Sequence, residues 1–453
     1  MPKRWTLAAA AGVLAVAIVH AQSAPLVASL SVPYTRFTLP NGLTVILQED
    51  HRVPQVAIDL AYHVGSARET PGHTGFAHLF EHLMFDGSAH VKKGEIDTLL
   101  NAAGGAAHAV TTEEETTYYE QVPSNALDLA LFLESDRMQY LLDALTPAVV
   151  DAEREIVKNE LQQSYLNAPY GKAYLRITEL LYPPSHPYHW PVVGYIDDLS
   201  AATYADVVTF FKTYYTPSNA TLVIAGDIEP ADARRRVEHW FSDVTARPRP
   251  APIVFPPVAL TRVTRETLTD RVNLPRIFLC WPTPARFAPG DAALDVLAHV
   301  LADGKGSRLY KRLVYDDPVA QEVSASENPS PHGSIFLIDV TARPSSASPA
   351  DVLARIVAAV DRELDALRTT PPTADELERA RSGIETTFVD GMQTIAGKAR
   401  QMNAYESLTG HPDYFAADLG RYEALQADDV RAALDQWLPR DRRVELSIVP
   451  GAK

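Results

Sequence analysis

His78, Glu81 and His82 have residue types and a spacing that could do chemistry. Helical positions four apart project from one face, so imidazoles at 78 and 82 can reach a single ion. Glu81 lies on that face, three residues after His78, and can reach a water on the ion without being a ligand. A helix through Phe76 to Phe85 is expected, capped by Thr74 and ending before Gly87. An amphipathic helix with two ordinary histidines would show the same spacing, so a third donor has to be found. The stretch Ala148 to Tyr165 supplies one. It reads as a helix with Val149, Ile156 and Val157 on one side, and Glu153 and Glu160, seven residues apart, fall on that mostly apolar side. Two carboxylates facing a core need compensation. A cation compensates Glu160, and a hydrogen bond to a ligand histidine would satisfy Glu153. Two solvated glutamates on a helix edge are the alternative, which the histidine pair argues against.

Two His and one Glu leave a fourth position open for water, the arrangement of catalytic rather than structural zinc. One zinc ion per chain is therefore expected on His78, His82 and Glu160, with Glu153 behind the ligands. Such an ion acidifies water and polarises a carbonyl, while Glu81 takes the proton and delivers it to a leaving amine. Amide hydrolysis suits this set of residues.

The elements that must position these residues are of mixed type. Thr35 to Leu39 and Leu43 to Leu47 flank Pro40-Asn41-Gly42 as a hairpin, and Val56 to Val64 alternates like a half-buried strand. Ala374 to Ile384 reads as a helix, with Thr373 and Glu376 at capping-box spacing. Hairpins together with helices, without strict β-α alternation, indicate an α+β fold with mixed or antiparallel sheets. Pro248, Pro250, Pro252, Pro256 and Pro257 interrupt regular structure and mark an extended linker. The segments on either side of it are similar. Leu83-Met84-Phe85-Asp86-Gly87 matches Val300-Leu301-Ala302-Asp303-Gly304, and Tyr214-Tyr215-Thr216-Pro217 before a strand matches Gln436-Trp437-Leu438-Pro439 before another. A duplicated unit follows, against the alternative of chance similarity between two helix-then-strand segments. The expected division is a signal peptide at 1–21, a zinc-bearing α+β domain at 33–245, a Pro-rich linker at 246–262 and a homologous metal-free α+β domain at 263–450.

With 453 residues, 46% hydrophobic and 22% charged, the chain has apolar material for a large core and length for two or more domains. A net charge of −16 argues against nucleic acid or anionic lipid as partners bound through a basic face. Lys3 and Arg4 precede an apolar run from Leu7 to Val19, and Val19-His20-Ala21 suits signal peptidase. The run is shorter than the roughly 20 residues a spanning helix needs. Export with cleavage after Ala21 is expected, rather than an uncleaved anchor, giving a periplasmic or secreted protein without a membrane anchor. The lone Cys280, inside the apolar run Ile277 to Trp281, allows no intramolecular disulfide and reads as a buried strand residue.

The order His-x-x-Glu-His, inverted relative to His-Glu-x-x-His, resembles the inverzincins, the family of pitrilysin, insulin-degrading enzyme and mitochondrial processing peptidase. Leu39-Pro40-Asn41-Gly42-Leu43, Val64-Gly65-Ser66, Gly75 through Gly87, and Glu153-Arg154 with Val157 and Glu160 look like the family's landmarks in order. So do Pro217 with Asn219-Ala220-Thr221, then Gly226-Asp227, and Gly306-Ser307-Arg308-Leu309-Tyr310. The resemblance implies two homologous α+β halves making one side of a clamshell, of which this chain looks like the zinc-bearing, half-length unit. It implies an endopeptidase that hydrolyses peptides or unfolded segments within a closed chamber. The second half has Asp295, Ala298 and His299 where His78, Glu81 and His82 stand, so no second metal is expected and His299 reads as an ordinary core or edge residue.

Gly105, Ala106, Ala107, His108 and Ala109, within Gly104 to Thr111, resemble the family's edge strand, which takes an extended peptide by β-addition. His108 stands where the family usually has Asn. The run Glu113-Glu114-Glu115 reads as a solvated face. Family members also carry an Arg and, seven residues later, a Tyr in the unit facing the zinc; the aligned positions here are Val314 and Gln321, with Arg308, Tyr310 or Tyr315 as other possible counterparts. The expected partner is a homologous metal-free subunit supplying Arg and Tyr, in a heterodimer, with a homodimer as the alternative. Nothing acidic follows closely after Glu160, which weakens arginine-directed presequence processing. A non-catalytic scaffold and a peptide trap are the rival readings, and the intact ligands and Glu81 argue against both.

Overall fold

Pro40-Asn41-Gly42 reverses the chain because Gly42 takes φ 94°, a left-handed conformation open to glycine. This turn pairs β1 (Thr35–Thr38) with β2 (Thr44–Glu49), as the hairpin pattern predicts. The structure, a computed structural model, describes residues 30–451, so the signal peptide expected at 1–21 lies outside the described residues. With β3 (Gln55–Tyr62), β4 (Ala106–Thr111), β5 (Thr116–Pro123) and β6 (Ala220–Gly226), the first sheet has the order β1-β2-β6-β3-β5-β4. The helices of this half that bear on the site are α1 (Phe76–Leu83), α2 (Glu95–Ala103), α3 (Leu127–Ala144), α4 (Pro147–Leu161) and α5 (Gly171–Leu181).

The second half forms β7 (Thr264–Asp270), β8 (Arg276–Thr283), β9 (Ala320–Asn328), β10 (Ser334–Ala342) and β11 (Val444–Pro450) in the order β7-β11-β8-β10-β9. Its main helices are α6 (Asp291–Ala302), α7 (Pro349–Thr369), α8 (Ala374–Gln393) and α9 (Ile395–Thr409). Without β1, the two sheets have one topology. In each, the pair β2·β6 or β7·β11 is parallel and every other pair is antiparallel. The chain is therefore α+β with two homologous halves, as the repeated segments imply.

The halves exchange helices. Ile395, Ala399, Met402 and Tyr405 of α9 pack on Ala57, Val223 and Ala225 of the first sheet. Reciprocally, Ala173, Ile177 and Leu181 of α5 pack on Phe278, Cys280, Leu446 and Ile448 of the second. Each fully buried Val, Leu, Ile or Met contributes about 1.5–3 kcal/mol, so each sheet depends on a helix from the other half. One expectation is corrected by this exchange: β3, whose alternation suggests a half-buried strand, is buried on both faces from Val56 to Tyr62. α1 and α3 cover one face and α9 the other, and Asn403 of α9 donates to Asp59 Oδ1 at 2.6 Å. Cys280 is buried in β8, as expected.

The Pro-rich stretch has no helix or strand from 243 to 263, yet it is not a free tether. Ile253, Val258 and Leu260 pack against the α5 cluster, while Val254 is 87% exposed. Thr373 and Glu376 cap α8 reciprocally, as their spacing predicts. Among the described residues no helix is long and apolar enough to cross a membrane.

Candidate metal centre

α1 buries Phe76, Leu79, Phe80 and Leu83 in the first core, leaving His78, Glu81 and His82 on its open side. Its start departs from the sequence expectation. Thr74 does not cap it: the Thr74 hydroxyl donates to Asp198 Oδ2 at 2.7 Å and accepts from the Tyr195 N–H at 3.1 Å. Glu69 caps instead, accepting from the N–H groups of Gly75 at 2.9 Å and Ala77 at 2.8 Å, one on each carboxylate oxygen. Gly75 takes φ 86°, and a Cβ there would meet Val193 O at 2.8 Å. The chain is thus crowded against residues 193–198, which captures Thr74 and leaves the orphan amides to a side chain from the preceding loop.

α4 is capped by Thr146, which accepts from the Val149 N–H, and it buries Val150, Glu153, Val157 and Leu161. Ile156, assigned by its spacing to the inner side, is 46% exposed: the buried stripe runs 150, 153, 157, 161 and position 156 lies beside it.

His78, His82 and Glu160 each offer one ligand atom within 4.8 Å of the others. Glu160 Oε2 is 3.7 Å from His78 Nε2 and 3.3 Å from His82 Nε2, and no Lys or Arg pairs with Glu160 among the described residues. Burial lowers the pKa of His78 despite the Glu160 charge. At His82 burial also lowers it, but the Glu160 hydrogen bond and the charges of Glu160, Glu81 and Glu153 outweigh this and the pKa is raised. Two imidazole nitrogens and a carboxylate converging without a protein cation between them fit a zinc ion.

Glu153 is buried, but its expected bond to a ligand histidine is not formed. Its Oε2 lies 3.8 Å from His82 Nδ1, beyond hydrogen-bond range. Lys93 Nζ compensates it instead, at 2.7 Å from Glu153 Oε1 and 2.5 Å from Asp86 Oδ1. Burial, opposed by Lys93, pushes the Asp86 carboxyl up to about 6. Lys93 carries no local signal: it follows α1 in a loop, and only the fold brings it to α4.

Glu81 Oε2 accepts from the Thr111 hydroxyl at 2.7 Å. Thr111 ends β4, which among the described residues pairs with β5 alone, so β4 has a free edge whose end lies beside the candidate metal donors. Strand alternation puts Ala107 and Ala109 on the Thr111 side, whereas Ala106 and His108 point to the opposite face; Gly105 precedes the strand. Behind α1, the Tyr118 hydroxyl donates to the Phe80 carbonyl at 3.1 Å. The guanidinium of buried Arg137 stacks 4.4 Å from the Tyr118 ring and pairs with Glu120 and Glu134.

The run 113–115 is not a solvated face. Tyr188 donates to Glu114 at 2.6 Å, His63 Nδ1 lies 3.0 Å from Glu115 Oε1, Ser407 of α9 donates to the same oxygen, and burial raises the pKa of Glu113. The β4–β5 turn lies under the helix lent by the second half, and distant partners claim these carboxylates.

In the second half, Asp295 accepts from Tyr422 at 2.7 Å, and His299, an edge residue, lies 3.1 Å from Asp303. Val314 packs on the second core and Gln321 is exposed on β9. Arg308 is held by both Glu376 oxygens at 2.7 Å, and Tyr315, 57% exposed, touches Tyr310.

Residues 44–172, which include the candidate donors His78, His82 and Glu160, match the family described as "Insulinase (Peptidase family M16)". Residues 201–384 match "Peptidase M16 inactive domain". The chain is 28% identical to the zinc protease PqqE of Helicobacter pylori over 83% of this chain and 85% of that one. The crystal structure of a protease from Helicobacter pylori superposes with a TM-score of 0.85 at 24% identity, covering 93% of this chain and 100% of the other. The periplasmic protease PqqL from Escherichia coli aligns with a TM-score of 0.74 at 20% identity, covering 92% of this chain but 48% of that one. From the two family matches, which together span both halves of one duplicated fold and of which the first holds the inverted His-x-x-Glu-His helix, the chain belongs to peptidase family M16, the insulinase family.

Proposed function

We propose that this chain is an exported zinc endopeptidase that binds one zinc ion through His78, His82 and Glu160 and uses Glu81 as its general base. The observation that carries the reading is the convergence of the three donors within 4.8 Å beside Glu81, at the end of a free strand edge. A zinc ion held there supplies Lewis acidity toward a carbonyl and lowers the pKa of water. Glu81 accepts the proton of the attacking water and passes it to the leaving nitrogen. The Thr111 hydroxyl on Glu81 Oε2 fixes the carboxylate and leaves Oε1 for this work. β4 holds the peptide extended by main-chain pairing through Gly105 to Ala109, which reads extension more than sequence. Peptides and unfolded segments are the substrates this favours.

The active assembly is a clamshell of this chain with a homologous metal-free subunit. Half-length coverage of PqqL supports pairing with a second unit. Neither Val314 nor Gln321 can donate as an Arg and Tyr would, and Arg308 is occupied by Glu376. The periplasm is the proposed location, from the apolar N-terminal run and the periplasmic relative. The test of the reading is Glu81→Gln. The variant should keep one zinc per chain and lose nearly all cleavage of a mixed peptide library, with the candidate partner present; retained turnover in the zinc-replete variant would overturn the mechanism.

A further inference from the structure

The face of the first sheet turned away from the metal donors holds a cavity of about 420 Å³. Its lining includes Ala106 and His108 of β4, Tyr119 of β5, Asp59 of β3, and Gly397 and Arg400 of α9. Two of these belong to the strand with the free edge. A peptide paired to that edge sends alternate side chains to the two faces of the sheet, so every second one arrives beside Ala106 and His108. The approach is open because Gly104, Gly105 and Ala106 have little or no side chain; Gly105 is held to this, since a Cβ there would meet Val122 Cγ1 at 2.6 Å.

The charge of the cavity is set by Arg400. Its guanidinium stacks over the Tyr119 ring at 4.3 Å, it is exposed, and it forms no ion pair among the described residues. The His108 ring lies against the same Tyr119 at 5.6 Å. Two acids line the cavity, both buried and both already held: Asp59, whose carboxyl burial pushes up to about 7, is bound to Asn403 Nδ2 at 2.6 Å, and Glu120 is paired with Arg137. Gln55 and Gln121 satisfy each other at 2.7 Å. A planar, uncommitted guanidinium at the mouth of a side-chain-sized space matches a carboxylate, which it can engage through two parallel N–H bonds.

We propose that this cavity is a side-chain subsite of the peptide carried on β4, selecting Asp or Glu through Arg400 with His108 beside it. The proposal rests on β4 being the peptide-binding edge. The experiment uses the full-length Glu81→Gln chain and fluorescent peptides of neutral sequence in which a single Glu, or a Gln control, is moved position by position. Anisotropy should show Glu tightening binding about tenfold at positions two apart, the scale of a hydrogen bond to a charged group. Arg400→Ala should abolish that gain, Gln should never give it, and Arg400→Lys should keep part of it. Binding indifferent to Glu, no binding at all, or a gain that survives Arg400→Ala overturns the subsite. Cleavage of the same peptides by the wild type, with the candidate partner present, separates the two readings. Glu-selective binding without cleavage retains the subsite and sinks the peptidase, while cleavage without Glu selectivity does the reverse.

Discussion

Glu69→Ala tests whether a residue outside the motif holds the metal helix in register. The carboxylate accepts two N–H bonds, from Gly75 at 2.9 Å and Ala77 at 2.8 Å, at a helix start that is buried. Removing it leaves donors that water cannot easily reach. Unsatisfied buried groups cost about 1–3 kcal/mol each, so for the two N–H donors a local loss between about 2 kcal/mol and an upper bound of about 6 kcal/mol is expected, the lower end being nearer the roughly 1 kcal/mol typical of a lost N-cap. That loss falls on the first turn. His78 lies in the first turn of α1 and His82 in the last, so fraying moves one ligand and spares the other. The apparent zinc affinity scales with the fraction of chains whose turn is formed, and a weakening of about tenfold is the expected scale. Competition against a chromogenic chelator measures it, with urea unfolding alongside. Glu69→Gln, which keeps one acceptor oxygen, should fall between wild type and Glu69→Ala. Wild-type zinc affinity with an unchanged urea midpoint in Glu69→Ala would refute the reasoning, and would assign the helix start to the packing of Gly75 and Phe76 alone.

Glu160→Gln should leave an incomplete donor set and greatly reduce zinc content by metal analysis; full occupancy would move the third ligand elsewhere, Glu153 being the first candidate. Thr111→Val should retain zinc but lower kcat with little change in KM, by about tenfold or more, since a hydrogen bond to a charged group contributes about 1.5–3 kcal/mol. An unchanged kcat would mean that Glu81 is oriented by other contacts. Glu327 gives a pH dependence. Burial, opposed by the Thr283 hydroxyl, raises its pKa to about 8, so the neutral acid fits the fold. The stability it contributes is complete below the ordinary carboxylate pKa of about 4.3 and is lost as pH rises through about 8. Urea midpoints of the wild type should therefore decline between pH 5 and 9, and Glu327→Gln should decline less; parallel curves would count against it.

The sequence was most informative where the chemistry is local. His78, Glu81 and His82 share one helix, and i, i+3, i+4 geometry alone aims them together. The hairpin at Pro40-Asn41-Gly42, the capping box at Thr373 and Glu376, and the duplicated halves were legible for the same reason: each depends on residues within a few positions or on the comparison of one half with the other. The pairing of Glu160 with the two histidines was also readable, because seven-residue spacing on α4 fixes a face, although it left open which neighbours that face meets.

What the sequence could not reveal lies at contacts between distant segments. The Thr74 position looks like a cap, but Asp198 and Tyr195 take its hydroxyl and Glu69 replaces it. Glu153 looked destined for a histidine, yet Lys93 arrives from another loop and neutralises it. The acidic run at 113–115 reads as solvated until α9 and Tyr188 close over it. β3 alternates like a strand with one wet face, and only α9, lent by the second half, dries it. Local periodicity records which side chains share a face. Which partner covers that face, or which charge answers a buried carboxylate, is decided by long-range packing, because burial penalties are settled by whatever the folded chain brings within a few ångströms.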